Sequence, residues 1–153
     1  MGGVLLLCIG NPARGDDGLG PAFGERFEAM GLSGVTVDSC YQLSVEDAVD
    51  VAEHDTTVFV DADASCAPPF RVVRVAPATE ATFTTHFVSP GEVLGLAKQC
   101  FGASGEAWLV GVRGYVFEPF VLALSEGAKA NLEEAVKAVA EMVRNRSFHQ
   151  VGG

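Results

Sequence analysis

The apolar residues of the chain follow two spacings that alternate from one segment to the next. Continuous runs of aliphatic, β-branched and aromatic residues of strand length predict buried β-strands, and they lie at 4–9, from 35 onward, and at 56–60, 70–75 and 108–112. Between these runs, apolar residues recur about every three to four positions, as they do along one face of an α-helix. This spacing predicts helices at 19–30, from a Ser44 cap to about 53, from a Ser89 cap to 101, and from 125 onward.

The residues at the helix ends support these boundaries. Ser89 is followed by Pro90 at the first helical position and by Glu92 three residues after the serine, which is a capping box. Glycine follows the predicted ends of the first and third helices, at Gly31 and Gly102, where a left-handed backbone commonly ends a helix. The helix at 89–101 is therefore the best-bounded element that the sequence predicts.

Strands and helices alternate along all 153 residues, without an internal repeat or a linker. Such alternation predicts one α/β domain over 1–153 with three layers, in which helices cover both faces of a mainly parallel, twisted sheet of about five strands. The strand at 70–75 places Arg71 and Arg74 among valines and is predicted to lie near an edge. Residues 76–87 lack a helical period and are predicted to form a long surface loop that holds His86.

The composition excludes several classes of function. Apolar residues make up 48% of the chain and charged residues 20%, which is typical of a globular protein with a buried core. The formal net charge of −10 opposes binding to phosphate backbones, so nucleic acid is not an expected partner. No run approaches the roughly 18 apolar residues that span a bilayer, and the first residues lack the basic start of a signal peptide. We expect a cytoplasmic monomer that does not bind membranes.

The cysteines are also typical of a cytoplasmic protein. Cys8, Cys40, Cys66 and Cys100 lie far apart and form no CxxC spacing. Three of them fall in or beside apolar runs, so buried free thiols are favoured over a disulfide framework or a zinc site. This usage indicates a reducing compartment.

Acidic residues follow two of the predicted strands, at the edge where open α/β sheets collect ligands. Asp16 and Asp17 lie in the loop after the first strand, and Asp61 ends the third. Two carboxylates at neighbouring strand ends, with no Lys or Arg directly beside Asp61, would repel each other unless a cation or a proton relieved them. His86 could reach the same edge, and two oxygens with one imidazole nitrogen suit a first-row divalent ion, nickel included.

Structural roles stay open for these acidic residues. Asp16 is expected to cap the first helix, and Asp17 is less suited to that role because its side chain could point to the strand edge. Asp61 could close its strand as an Asx-turn residue, and Asp63 is expected to serve a turn.

The remaining histidines and the glycines also have simpler explanations than a site. His54 and His149 are expected to be solvated or satisfied by neighbours, because one lies at a helix end and the other in the polar tail. The glycines at 10, 15, 18 and 20 could permit a tight turn and close helix packing. Neither a GKS/T phosphate loop nor a GxGxxG dinucleotide fingerprint is present.

Four segments carry a more specific pattern than any single residue. They are GN at 10–11 with DDGLG at 16–20, the strand end VFVDA at 58–62, TTH at 84–86 followed by a helix, and the strand LVGV at 109–112 with FEP at 117–119 before the last helix. In this order, and over nearly the whole chain, they resemble the hydrogenase maturation endopeptidases.

The resemblance implies a reaction and a site. Asp17, Asp61 and His86 match the three metal-contacting positions of the family and would be both metal-binding and catalytic, although many members carry Glu in place of Asp17. The implied reaction removes the C-terminal extension, after a basic residue, from a nickel-loaded hydrogenase large-subunit precursor. Nickel would then be a feature of the substrate, and no tightly bound cofactor of the enzyme itself is expected.

Two mechanisms are compatible with these residues. Water could attack a metal-polarised carbonyl with Asp17 or Asp61 as general base, or the carboxylates could act alone as in aspartic proteases. No Ser or Cys nucleophile with an adjacent base is visible in the sequence. Asp17→Asn, Asp61→Asn and His86→Ala are each expected to stop processing while leaving thermal unfolding nearly unchanged.

Two other functions stay open. Peptidyl-tRNA hydrolases begin with a similar strand and Gly-Asn-Pro turn, but their substrate requires a basic face, and this chain has 10 Lys and Arg against 20 Asp and Glu. A non-catalytic metal-sensing chaperone could use the same three residues to dock on a hydrogenase subunit without cutting it.

Overall fold

Five strands and four α-helices are formed in the computed structural model, which describes residues 2–79 and 88–152. In chain order they are β1 (Val4–Ile9), α1 (Leu19–Met30), β2 (Val35–Cys40), α2 (Asp47–Ala52), β3 (Thr56–Asp63), β4 (Phe70–Arg74), α3 (Pro90–Phe101), β5 (Glu106–Arg113) and α4 (Glu126–Asn145). A 3₁₀ turn at Gly15–Gly18 leads into α1. Every predicted strand and helix is present, and the helix predicted at 19–30 has the predicted bounds.

The strands form one sheet in the order β2-β1-β3-β5-β4. β2, β1, β3 and β5 run parallel to one another, whereas β4 runs antiparallel to β5 at the edge of the sheet. This confirms the mainly parallel sheet and the edge position of the arginine-bearing strand. The carboxyl ends of β1, β2, β3 and β5 therefore lie along one side of the sheet, which we call the carboxyl edge.

Helices cover both faces of the sheet, as the alternation predicts. On one face, α1 and α4 bury Phe23, Phe27 and Val136 against Leu6 and Val58. On the other face, α2 and α3 pack around a separate cluster, whose members include Val51, Leu94, Leu5, Leu7 and Phe59. Successive residues of β1 and β3 alternate between the two clusters, as they must on a pleated strand that is buried on both sides. The three-layer α/β fold is confirmed.

The strand predicted at 108–112 is longer in the structure, from Glu106 to Arg113, and two further predicted boundaries are wrong for an identifiable physical reason. The predicted end of the third strand at Asp61 is too early, because β3 keeps pairing with β5 as far as Asp63 and Arg113. The second helix begins at Asp47 rather than directly after Ser44. Residues 44–47 instead form a turn, in which the Asp47 amide donates to the Ser44 carbonyl and the Asp47 carboxylate accepts from the Ser44 amide at 2.8 Å.

The capping box of α3 is formed as predicted. The Ser89 hydroxyl accepts from the Glu92 amide at 3.1 Å, and the Glu92 carboxylate accepts from the Ser89 amide at 2.9 Å. We expect Ser89→Ala to lower the free energy of unfolding by about 1 kcal/mol, because the cap then leaves a helix N–H without its partner.

Urea unfolding of Ser89→Ala tests this beside Ser104→Ala, which changes an exposed serine that caps no helix. Equal unfolding midpoints for the two variants would show that the cap contributes nothing measurable.

None of the helices that the described residues form is both long enough and apolar enough to cross a membrane.

Candidate functional site

The loop after β1 holds Asp17 in a fixed position at the carboxyl edge. Gly10 has a φ of 146°, and a Cβ at this position would collide with the Asp17 carbonyl oxygen, so the close approach requires glycine. The Asn11 amide donates to Asp17 Oδ2 at 2.7 Å, and Asn11 Oδ1 accepts from the Ala13 amide at 2.9 Å. One carboxylate oxygen of the half-buried Asp17 is thereby held, while the other accepts no hydrogen bond from the part of the chain that the structure describes.

Asp16 does not cap the first helix, contrary to the sequence prediction. Its carboxylate is fully buried and accepts four hydrogen bonds from the segment after β5. The donors are the amides of Tyr115 at 2.7 Å, Val116 at 3.0 Å and Ser125 at 2.7 Å, together with the Ser125 hydroxyl at 2.7 Å. Burial alone would raise the pKa of Asp16, but these hydrogen bonds outweigh it and hold the pKa below its usual value. Asp16 therefore joins two loops of the carboxyl edge.

Asp61 lies near the end of β3, beside Gly111 of β5. Its Oδ1 accepts from the Ala62 amide at 2.8 Å, which does not close the strand as an Asx-turn would. Burial, followed by the negative charges of Asp17 and Asp63, raises the pKa of Asp61 to about 6, and the hydrogen bond from Ala62 only partly offsets this. Asp17 and Asp61 are thus brought to the same edge and interact electrostatically, as the strand order predicts.

Asp63, two residues further along the same strand, is occupied by its neighbours. Its Oδ1 accepts from the amides of Ser65 and Cys66, both at 2.9 Å, and its Oδ2 accepts from Arg71 Nε at 2.8 Å. Although burial opposes it, these hydrogen bonds and the Arg71 charge lower the pKa of Asp63. The predicted turn role of Asp63 is confirmed, and among residues 2–79 and 88–152 the one hydrogen-bond donor to the Asp61 carboxylate is the Ala62 amide.

His86 is predicted to be a site residue, whereas His54 is predicted to have only a structural role. His86 lies outside the described residues, so its place at the edge stays a prediction. The His54 ring is satisfied away from the site, with Nδ1 2.7 Å from the Asp50 carbonyl oxygen. This confirms the structural role expected for His54.

All four cysteines are free thiols, as predicted, but only Cys8 is buried. Cys40 ends β2 beside Ile9, and burial together with the charges of Asp47, Asp38 and Asp61 raises its pKa to about 11. A thiol that stays protonated at neutral pH is a poor nucleophile. The structure therefore adds Cys40 to the residues near the edge without making it an alternative catalytic group.

Sequence reasoning also missed an acidic cluster on the neighbouring segment. Carboxylate oxygens of Asp38, Asp47 and Asp50 lie within 4.8 Å of one another where β2 meets α2. These residues are separated by up to 12 positions along the chain, so no sequence motif signals their proximity.

The arrangement suits binding of a cation or sharing of a proton. Asp17 and Asp61 each have one oxygen held by a backbone N–H and lone pairs left over. Two carboxylates in a partly desolvated position destabilise each other when both are ionised, and a divalent ion or one proton removes that cost. Carboxylate oxygens with an added imidazole are ligands of borderline first-row metals.

Solved structures resemble this chain over nearly its whole length, although no family model and no curated protein matches it. The NiFe hydrogenase maturation protease HycI from Thermococcus kodakarensis KOD1 is 23% identical, with 94% of this chain and 93% of that chain covered and a TM-score of 0.73. The hydrogenase 2 maturation peptidase from Thaumarchaeota archaeon SCGC_AB-539-E09 is 27% identical, with 93% and 98% covered and a TM-score of 0.68. The hydrogenase maturating endopeptidase HybD from E. coli is 23% identical, with 98% and 97% covered and a TM-score of 0.69.

The sheet order and the two open carboxylates define a three-layer α/β protein with a candidate site where its parallel strands end. Within that class, the chain has the fold of the hydrogenase maturation proteases, which confirms the family resemblance of its sequence.

Proposed function

We propose that this chain is an endopeptidase that removes the C-terminal extension of a nickel-loaded hydrogenase large-subunit precursor. The observation that supports this most is the pair Asp17 and Asp61, held at the carboxyl edge of a fold that is shared with hydrogenase maturation proteases. The unrelieved interaction between these carboxylates is what a substrate-borne cation would relieve.

Nickel belongs to the substrate in this proposal. Asp17 and Asp61 would supply oxygen ligands to positions that the precursor leaves open, and His86 would add a nitrogen ligand. The enzyme then distinguishes a loaded precursor from an unloaded one, because only the loaded form offsets the repulsion between the two carboxylates. No resident metal or organic cofactor is required.

The proposed reaction is hydrolysis of one peptide bond. A water oxygen attacks the scissile carbonyl carbon while Asp17 or Asp61 accepts the water proton, and the C–N bond breaks as that proton passes to the leaving amine. The bound nickel would polarise the carbonyl or hold it in place. Cys40 is not a competing nucleophile, because its pKa is raised to about 11.

We also propose a cytoplasmic monomer as the working form. The four free thiols are compatible with a reducing compartment. The net charge of −10 disfavours both nucleic acid and close self-association.

Incubation with purified large-subunit precursor, nickel-loaded or nickel-free, tests the proposal. We expect a shift to a shorter product on denaturing gels only for the loaded precursor, because the site requires the cation. Stable binding without any shortening would instead support the non-catalytic chaperone. Release of aminoacyl groups from peptidyl-tRNA would support the hydrolase alternative.

A further inference from the structure

Large apolar side chains are exposed in an uneven pattern on this molecule. Among the described residues, seven large hydrophobic side chains are exposed, and six of them fall on two short segments. One segment, 41–49, follows β2 and carries Tyr41, Val45 and Val49; the other, 115–122, follows β5 and carries Tyr115, Phe120 and Leu122. Both begin at the carboxyl edge, on either side of β1 and β3. Apolar surface gathered around one site indicates an interaction surface.

The 115–122 segment is fixed against the loop that carries Asp17. The Gly15 amide donates to the Val121 carbonyl at 2.7 Å, and the Phe120 amide donates to the Ala13 carbonyl at 2.8 Å. The Asp16 carboxylate holds the start of the segment through Tyr115 and Val116. Its apolar side chains are therefore presented by a braced backbone, which reduces the entropy that a partner must remove on binding.

Phe120 shows that the fold accepts strain to present this surface. Its φ is 66°, a left-handed conformation that is unfavourable for a bulky residue, and its side chain is 90% exposed. Leu122, two residues on, is 79% exposed. Strained residues that the surrounding hydrogen bonds enforce are concentrated at binding and catalytic sites.

The 41–49 segment combines apolar and acidic groups. Tyr41 is 72% exposed, and two exposed valines follow it, Val45 in the turn before α2 and Val49 within α2. The acidic cluster surrounds this segment, because Asp47 lies within it, Asp38 on β2 before it and Asp50 directly after it on α2.

The charge of this edge selects the kind of partner. A second copy of the chain would bring two molecules of net charge −10 together, with the acidic cluster and the Asp17–Asp61 pair facing their own copies. Repulsion between like charges opposes that contact. A partner that presents apolar side chains flanked by basic residues would instead complement both the exposed apolar side chains and the acidic groups of this surface.

We infer that segments 41–49 and 115–122 together form the docking surface for the hydrogenase large-subunit precursor, which they contact through apolar side chains next to basic residues on either side of the scissile segment. This inference rests on the proposed function and adds the residues that recognise the folded substrate. Aromatic anchors beside a charged site commonly carry most of the binding free energy of an interface.

Phe120→Gly is the sharpest test, because it removes the aromatic ring and also places glycine where φ is 66°. The thermal midpoint should not fall, since glycine adopts this conformation without strain. We expect KM for nickel-loaded precursor to rise by about tenfold or more while kcat stays within about twofold, as when a contact is lost equally from substrate and transition state. Val45→Ser with Val49→Ser should raise KM in the same direction.

Phe101→Ser is the matched control. Phe101 is the one exposed large hydrophobic side chain of the described residues that lies outside the two segments. It ends α3 just before the amino end of β5, away from the carboxyl edge. The KM of Phe101→Ser should stay at the wild-type value. An unchanged KM in Phe120→Gly and in the valine double variant would overturn the docking surface. So would a wild-type dimer in sedimentation that the same variants dissociate, because the occupant would then be a second copy.

Direct binding separates this inference from the proposed function. If the wild-type chain binds the loaded precursor without cutting it, and Phe120→Gly weakens that binding, the docking surface holds and the peptidase proposal fails. If the wild-type chain neither cuts nor binds the precursor, both are overturned.

Discussion

Asp61→Asn is expected to abolish processing of the precursor and, at the same time, to make the free protein more stable at neutral pH. Activity is lost because the amide can neither accept the water proton nor supply an anionic ligand to the metal. Stability rises because burial and the charges of Asp17 and Asp63 disfavour ionised Asp61, whose pKa is raised to about 6. Asparagine keeps an oxygen that can accept from the Ala62 amide.

The pH dependence of this gain has a definite sign. In the unfolded chain Asp61 has an ordinary pKa, so at pH 3 the carboxyl is protonated in both states and the substitution changes little. As the pH rises from about 4 to about 6, the unfolded chain ionises first and the wild-type fold loses stability relative to the variant. Above that range the variant should be more stable by on the order of 2 kcal/mol.

Urea unfolding of the wild-type chain and Asp61→Asn at pH 4 and pH 7.5 measures this difference. Glu141→Gln, an exposed change on α4, serves as the control and should show no such pH-dependent gap. A variant that is less stable than wild type at pH 7.5 would mean that Asp61 stabilises the fold and that its ionised form is not strained. The sequence alone predicts nearly unchanged unfolding, because it does not reveal the burial of this carboxylate.

Asp16→Asn is expected to have the opposite effect on stability. An amide carries two N–H donors where the carboxylate accepts from Tyr115, Val116 and Ser125, so at least one buried donor loses its partner. Hydrogen bonds to charged groups contribute about 1.5–3 kcal/mol each, and an unsatisfied buried donor adds its own cost. We expect the free energy of unfolding to fall by about 3 kcal/mol near neutral pH.

The loss should disappear in acid. Because the pKa of Asp16 is lowered in the fold, its stabilising effect is complete above the unfolded pKa and is lost as the pH falls through the folded pKa. Thermal or urea unfolding across this range measures the convergence of wild type and variant. Asp17→Asn is the matched control, since Asp17 accepts one backbone hydrogen bond that asparagine can also accept. Equal losses in the two variants would contradict the bridging role of Asp16.

The parts of the fold that the sequence predicts are those that depend on neighbouring residues. The capping box at Ser89 and Glu92 and the aliphatic run of β1 carry their own signals, and both elements form as predicted. The end of β3 does not, because Ala62 and Asp63 remain in the strand only through their pairing with β5. A contact between strands that are some fifty positions apart leaves no local pattern at the strand end.

In the candidate site, too, some residues could be placed from the sequence and others could not. Asp17 and Asp61 could be placed together because parallel neighbouring strands bring their carboxyl ends to one edge. The role of Asp16 could not be predicted, since its partners lie about a hundred positions away at Tyr115, Val116 and Ser125. A local rule for acidic residues before a helix pointed instead to a cap.

The structure also explains why the residues GN at 10–11 and DDGLG at 16–20 form a specific sequence motif. Gly10 and Gly20 are required by close backbone approaches, because a Cβ at Gly10 would collide with the Asp17 carbonyl and one at Gly20 with the Ile9 carbonyl. Asp16 is occupied by the segment after β5. Much of the motif therefore specifies how α1 packs on β1, and Asp17 is the member that remains available for chemistry.

One measurement shows whether this chain cleaves the precursor through Asp61. It is the intact mass of a nickel-loaded large-subunit precursor after incubation with the wild-type chain or with Asp61→Asn. We expect the wild-type chain to lower the mass by that of a C-terminal segment and Asp61→Asn to leave the precursor at full length. An unchanged mass with the wild-type chain, or equal shortening by Asp61→Asn, would contradict cleavage through Asp61.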